Sequence, residues 1–314
     1  MGHTSTAVVF ESPGNLSVRE VLLPELTTDD CLVEVLHSGI STGTERLLWT
    51  GDMPFFPGLQ YPLVPGYESV GRVLECGADS TLAEGQAVFI PGSRGFENVA
   101  GLFGGAAKHL VVPSHRLIPL SGDPEEASVL LALVATAIHA LGRLHENTCL
   151  DLIVGNGVLG RLIARVAKAT GHRDIRQWET NLERQETSVS TITNATDDAR
   201  TDYRTVVDVS GDSNIINQAV AHMGPGSTLV LAGFYHQPLT FDFAPAFMRE
   251  IDIRIAAEWR EQDMERAAYL LANDLLKTDD LITHRFAAND AKTAYTEAFS
   301  NPKCLKTVLD WSVL

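Results

Sequence analysis

The chain has 314 residues, 45% of them hydrophobic and 20% charged, the balance of a soluble globular protein long enough to build two domains. Its formal net charge of −16 argues against nucleic acid or an anionic membrane surface as a partner. The opening Met1-Gly2-His3-Thr4-Ser5-Thr6 has no basic segment ahead of an apolar one, and no apolar run would span a bilayer, so no membrane insertion and a cytoplasmic location are expected.

Residues 1 to about 120 read as β-rich. Ala7-Val8-Val9-Phe10 and Leu16-Ser17-Val18-Arg19-Glu20-Val21 predict a hairpin across Ser12-Pro13-Gly14-Asn15. Cys31-Leu32-Val33-Glu34-Val35-Leu36-His37 alternates as a half-buried strand. A long loop, dense in Gly, Pro and aromatics, follows over 38–66. Strands at 69–76 and 87–90, with short ones in 104–113 and 117–119, complete a barrel-like set. At Asp123 the pattern changes. Pro124-Glu125-Glu126-Ala127 opens a helix with acids in its first turn, and 127–141, apolar nearly all round, should be buried between the two domains.

The second half reads as alternating strands and helices. Strands are expected at 150–154, 175–178, around Ser188 to Ile192, and at 205–209, 227–233 and 251–255. Helices are expected after the first of these and at 213–223, 263–276 and 290–299, with the turn Gly224-Pro225-Gly226 ahead of the central strand. The tail at 304–310 reads as a strand returning to the first domain. There are no repeats and no low-complexity tracts. Cys31, Cys76, Cys149 and Cys304 stand without CxxC or ligand-like spacing, and all four are expected to be reduced, buried and inert.

Chemistry enters at Asp151-Leu152-Ile153-Val154-Gly155-Asn156-Gly157-Val158-Leu159-Gly160, an apolar strand running into Gly-x-Gly-x-x-Gly and then a helix. Gly155 permits the tight turn, Gly157 lets the backbone approach a pyrophosphate, and Gly160 lets helix and sheet pack closely. The phosphates would sit on the unpaired N–H groups at the helix start. Gly171 is placed to end that helix. Glu179, about twenty residues beyond the glycines, is where a ribose-binding carboxylate belongs, and its charge favours NAD over NADP. Arg176 and Arg184 leave room for NADP.

A β-rich domain, a dinucleotide fold and a returning strand together resemble the plan of the medium-chain dehydrogenase/reductase superfamily over essentially the whole chain. The motifs that carry the resemblance include Ser38-Gly39-Ile40, Gly43-Thr44-Glu45, Pro65-Gly66-Tyr67-Glu68-Ser69-Val70-Gly71, Asp208-Val209-Ser210-Gly211 and Leu305-Lys306-Thr307-Val308. It implies an α/β fold: a Rossmann doubly wound parallel sheet (121–281) plus a GroES-like β-barrel catalytic domain (1–120 and 282–314). The loop 39–49, with Met53-Pro54-Phe55-Phe56-Pro57-Gly58 and Tyr61-Pro62-Leu63-Val64-Pro65-Gly66-Tyr67-Glu68, looks like the bacteriochlorophyllide dehydrogenase branch. That branch oxidises a 3-(1-hydroxyethyl) side chain to 3-acetyl. Superfamily members often pair through an edge strand, expected here near 227–233, so a homodimer is anticipated.

The chain departs from the zinc-dependent members of the superfamily. The three catalytic zinc-ligand positions fall on Ser41 or Thr42, on Tyr67 and near Ala132, and the four-Cys structural zinc lobe is missing. Without Cys or His, these positions make no tetrahedral zinc site, so no metal is expected. Alcohol oxidation then needs a proton acceptor or relay within hydrogen-bond reach of the hydroxyl. Thr44 takes the place of the relay hydroxyl, and Tyr67 could act as acid/base if a nearby NAD⁺ charge lowers its pKa. Glu45 or Glu68 could be the base or could serve as structural ion-pair partners, and Ser41 could hold the loop by hydrogen bonds. His37 and His139 read as satisfied core histidines.

Trp49, Met53, Phe55, Phe56, Leu59 and Tyr61 give an apolar, aromatic loop suited to a flat bacteriochlorophyllide-type tetrapyrrole, or simply packed on itself. Arg46, Arg94 and Lys108 are candidate partners for a propionate. On the cofactor side, Ser210 and Gly211 are expected near the adenosine, and Gly233, Phe234 and Tyr235 near the nicotinamide. Two competing readings remain: a zinc-free quinone or enone reductase using NADPH, and a non-enzymatic NAD(P)H sensor.

Overall fold

Alternating apolar residues make the first part of the chain a set of strands. In order they are β1 (Thr4–Ser12), β2 (Asn15–Leu22), β3 (Asp30–Ile40), β4 (Leu63–Val64), β5 (Ser69–Cys76), β6 (Ala87–Ile90), β7 (Ala100–Gly101), β8 (His109–Pro113) and β9 (Ile118–Pro119). A helix, α1 (Thr44–Thr50), interrupts the long loop. The structure, a computed structural model, describes residues 4–93, 95–185, 190–278 and 280–314. Met1, Gly2, His3, Arg94 and Ser188, named above, lie outside them. The chain divides into two compact units, one reaching Ala132 and resumed at Thr278–Leu314, the other Leu133–Lys277.

In the second unit come α2 (Leu131–Leu141, begun just before the boundary), β10 (Leu152–Val154), α3 (Val158–Ala169), β11 (Arg176–Trp178), β12 (Ser190–Ile192), β13 (Tyr203–Asp208), α4 (Ile215–Ala221), β14 (Met223–Leu231), α5 (Phe243–Met248), β15 (Asp252–Ile255) and α6 (Glu261–Ala272). The chain then returns to the first unit with β16 (Ile282–Ala287), α7 (Ala291–Ser300) and β17 (Lys306–Asp310).

In the first unit, β2-β1-β4-β7 form one sheet. A second runs β16-β17-β3-β5-β6-β9, with β8 also paired to β3. The returning β17 lies antiparallel to β3, Thr307 opposite Ile40, and so becomes part of the barrel. Phe10, Val33, Val35, Ile40, Leu309 and Trp311 fill the core. The Trp311 indole N–H reaches Ser38 Oγ at 2.8 Å, so this large ring is buried without stranding its donor. Helix α1 was not foreseen. It is one short stretch after Gly43 with no side chain capping its start, so the usual helix-start signal is absent.

The second unit is a six-stranded parallel sheet in the order β12-β11-β10-β13-β14-β15. Leu162, Ile163, Val166 and Ala167 bury one face of α3, as their helical spacing requires. Two expectations need correction. Strand β14 begins at Met223 and runs through Gly224-Pro225-Gly226, because Met223 pairs with Tyr203 before the ladder slips. Residues 227–231 also lie inside the sheet, between β13 and β15, so the edge strand on that side is β15.

The cysteines are corrected as well. Strands β3 and β5 pair antiparallel with Cys31 opposite Cys76, their Cα atoms 4.2 Å apart, and the two sulfurs are bonded as a disulfide. The spacing of directly opposed residues in an antiparallel ladder brings the side chains together. Cys149 is exposed and Cys304 buried, and neither is in a disulfide. Alkylation of the denatured chain without reductant should therefore label two cysteines, and four after reduction. Four labelled sulfurs without reductant would contradict the bond.

Candidate active site

The carboxyl ends of β10 and β13 lie side by side where the strand order reverses, the position at which open α/β sheets bind ligands. Gly155 leaves β10 in the left-handed region at φ +99°. A Cβ on Gly160 would stand 2.1 Å from the Gly155 carbonyl oxygen, so close packing of helix on turn admits only glycine there. Gly157 is the N-cap of α3, and no side chain caps that end. A Cβ there would meet only Arg184 Nη1, at 3.9 Å. Val158 is buried and Leu159 half-buried, which leaves their backbone groups as what the turn can offer a ligand.

Asn156 is fully buried; its Nδ2 donates to the Arg184 carbonyl at 2.6 Å, and its Oδ1 has no partner. Its backbone N–H donates to Glu179 Oε2 at 2.7 Å, and Asn181 N–H donates to Glu179 Oε1 at 2.7 Å. Each oxygen of Glu179 keeps acceptor capacity for a ribose hydroxyl. The open glycine and the uncapped helix start fit a dinucleotide pyrophosphate, whose oxygens accept from backbone N–H groups. Arg176 is engaged with Asp198 at 3.1 Å.

The same sheet edge gathers the remaining cofactor candidates. Ser210 N–H donates to the buried Asp208 Oδ1 at 3.0 Å, and the Tyr235 hydroxyl donates to Oδ2. Ala232 and Gly233 N–H both reach the Asp208 carbonyl, at 2.9 and 3.1 Å. Burial pushes the Asp208 carboxyl up, and burial beside Asp208 pushes the Tyr235 phenol up as well. A Cβ on Gly233 would stand 3.2 Å from Gly211 N, while Phe234 is exposed. His139 pairs with Asp263 at 2.8 Å within this unit.

In the first unit the hydroxyls cluster. Ser41 Oγ and Tyr67 Oη are 2.8 Å apart, Thr44 N–H donates to Ser41 Oγ at 3.4 Å, and the Thr44 hydroxyl also interacts with Tyr67. Thr44 and Tyr67 are half-buried, and Ser41 lies deeper. Behind them are two fully buried carboxylates. Glu68 pairs with Lys306, whose Nζ also donates to the Ile40 carbonyl at 3.1 Å. Glu68 Oε1 has no partner. Glu45 accepts from Ser41 N–H at 2.9 Å and from the Tyr295 hydroxyl at 2.6 Å. Burial raises Glu45 to about 7, against the pull of those two donors. Burial and the charge of Glu68 push the Tyr67 phenol up. The phenol is thus a neutral, protonated partner of Ser41 Oγ, and either oxygen of that pair can be the donor.

Lys306 and Tyr295 were missed in the sequence, although Lys306 lay inside a motif already singled out. Lys108 is corrected: it is buried, donating to the Trp311 carbonyl at 2.7 Å and pairing with Glu34 at 3.0 Å, so it is not open to a propionate. Arg46 is exposed on α1. Of the aromatic loop, Met53 is buried in the core, a correction to its expected place on a ligand surface. Trp49 packs edge-on against Phe10, and the Tyr61 hydroxyl is spent on the Leu48 carbonyl. Phe55 is 95% exposed, and Phe56 is half-buried against Phe103. Among the described residues, no group of three or more His, Cys, Asp and Glu is arranged to hold a metal ion. The positions Ser41, Tyr67 and Ala132 lack the donors a zinc ion takes.

The raised Glu45 has a stability consequence. A folded-state pKa above the unfolded value gives stability that is full below the unfolded pKa, near 4.5, and is lost as pH rises through about 7. At about 1.36 kcal/mol per unit, wild type should lose roughly 2 to 3 kcal/mol between pH 5 and pH 8 from this group. E45Q should remove that loss, gaining relative stability as pH rises in urea titrations at the two pH values. Parallel pH dependences for the two proteins would show that Glu45 does not titrate there.

Residues 27–122 match the alcohol dehydrogenase GroES-like domain. The chain is 46% identical to the 2-desacetyl-2-hydroxyethyl bacteriochlorophyllide A dehydrogenase of Cereibacter sphaeroides, over 98% of both chains. It is 45% identical to the enzyme of the same name from Rhodobacter capsulatus, over 97% of both. A short chain alcohol dehydrogenase of Escherichia coli CFT073, complexed with NADH, shares the fold at a TM-score of 0.84 and 21% identity, covering 99% of this chain and 100% of that one. The chain therefore belongs to the family of the 2-desacetyl-2-hydroxyethyl bacteriochlorophyllide A dehydrogenases, within the medium-chain dehydrogenase/reductase superfamily.

Proposed function

We propose that the protein oxidises the C3 1-hydroxyethyl group of a bacteriochlorophyllide to an acetyl group, with NAD as hydride acceptor and without zinc. The observation that carries this reading is 46% identity over 98% of the chain to an enzyme named for that substrate. Gly155, Gly157 and Gly160 hold the dinucleotide through the α3 start, and Glu179 takes the ribose hydroxyls and disfavours a 2′-phosphate. When bound, the nicotinamide supplies the hydride acceptor.

The chain's own side chains handle the proton. Thr44 orients the substrate hydroxyl, and the proton passes along Thr44, Ser41 and the protonated Tyr67 to water, each hydroxyl giving up one proton as it takes one. Glu68 is committed to Lys306, which leaves Glu45 as the carboxylate whose ionisation sets the pH dependence. The donor set at Ser41, Tyr67 and Ala132 supports the metal-free reading.

Purified protein mixed with 3-hydroxyethyl bacteriochlorophyllide and NAD⁺ should red-shift the long-wavelength pigment band, undiminished by EDTA. A requirement for added zinc would overturn the metal-free mechanism, and no shift with either coenzyme would overturn the substrate. T44V should lower kcat by about a hundredfold, the scale of a lost proton-transfer group. E179Q should narrow the preference for NAD⁺ over NADP⁺ by about tenfold, the worth of one charged hydrogen bond.

We also propose a homodimer through β15. Its outer edge has no strand partner among the described residues, and Phe243, Phe247, Met248 and Ile255 are exposed around it. Light scattering should give twice the chain mass of 34.1 kDa. I255K should give the single mass, and a monomeric wild type would overturn the pairing.

A further inference from the structure

Three half-buried rings run in a row in the first unit. Phe56 meets Phe103 edge-on, with ring centres 5.7 Å apart and planes at 78°, and Phe103 meets Tyr67 in the same way at 5.4 Å and 83°. The row ends on the phenol that contacts Ser41 Oγ. Phe56 and Phe103 pack against the core on one side and keep part of their surface open.

The backbone around the middle ring is pinned. Leu102 N–H and Gly104 N–H both donate to the Val64 carbonyl at 2.9 Å, and the Phe103 carbonyl accepts from Ser93 N–H at 2.7 Å. A large ring held this firmly and left half open loses little freedom on binding, which is what a preorganised contact surface requires.

We propose that Phe56, Phe103 and Tyr67 form the wall on which the tetrapyrrole macrocycle lies, with Phe103 as its central, specificity-determining residue. This rests on the substrate reading above. A broad, flat, largely apolar macrocycle offers π-faces and edges to such rings, whereas a short alcohol or a sugar does not. The row leads to the hydroxyls assigned to the proton, so a macrocycle lying along it brings a side chain on its rim to Tyr67 and Thr44.

The test compares wild type with F103L and F103Y. Pigment binding without coenzyme is read by quenching of pigment fluorescence, turnover by the absorbance assay, and NADH affinity by its own fluorescence. F103L should raise KM for the pigment about tenfold, as expected for loss of ring contacts, with kcat at saturating pigment and NADH affinity unchanged. F103Y should restore the wild-type KM. If F103L does not fold, F56L reads the same row and should raise KM in the same direction. An unchanged KM in a folded leucine variant, or a loss that F103Y does not restore, overturns the wall while wild-type turnover keeps the substrate assignment intact. A wild-type protein that neither binds nor oxidises the pigment overturns both.

Discussion

The buried pair between Lys306 and Glu68 is the contact on which the first unit's site depends. Both side chains are out of water, and the cost of removing two charges from solvent is met only because each answers the other and Lys306 also reaches the Ile40 carbonyl. Deleting one partner of such a pair costs about 3–5 kcal/mol, since the other charge is left stranded. Gly39 belongs to the same arrangement: a Cβ there would stand 2.5 Å from Glu68 Oε2. The pair joins residues 238 apart in sequence, so β17, the end of β3 and the turn carrying Tyr67 are fixed together.

The pair also accounts for the electrostatics around it. Two buried carboxylates share one ammonium, and Glu68 holds it. Glu45 is left with neutral donors, Ser41 N–H and the Tyr295 hydroxyl, which are too weak to offset full burial. Its ionisation therefore rises into the neutral range, while burial and the charge of Glu68 push the Tyr67 phenol up as well, further out of that range. One group that changes charge near pH 7 beside one that keeps its proton is a pairing that acid–base chemistry uses.

Local pattern made most of the fold readable. The period-two alternation at 31–37, the apolar strand feeding Gly155-Asn156-Gly157, and the apolar face of α3 each report their own conformation. The strand at 304–310 was visible too, but nothing in it said that Lys306 turns inward, because burial of a lysine depends on a carboxylate elsewhere in the chain. The same limit hid Tyr295 beside Glu45 and Phe103 beside Tyr67. Cys31 and Cys76 differ in kind: both strands were visible, and pairing them antiparallel in the right register would have placed the sulfurs opposite each other. Helix α1 was hidden because neither a cap nor a long periodic face announces seven residues.

Glu179 shows how closely recognition and folding are joined in the second unit. A carboxylate at the end of β11 reads as a ribose ligand, yet here its two oxygens also hold Asn156 N–H and Asn181 N–H, each at 2.7 Å. Asn156 is the residue inside the glycine turn, and its side chain in turn grips the Arg184 carbonyl. The carboxylate proposed to select the coenzyme therefore also sets the shape of the glycine turn. An amide at this position keeps one acceptor, for either Asn156 N–H or Asn181 N–H, and sets its own NH2 against the other, whereas a side chain without oxygens loses both bonds.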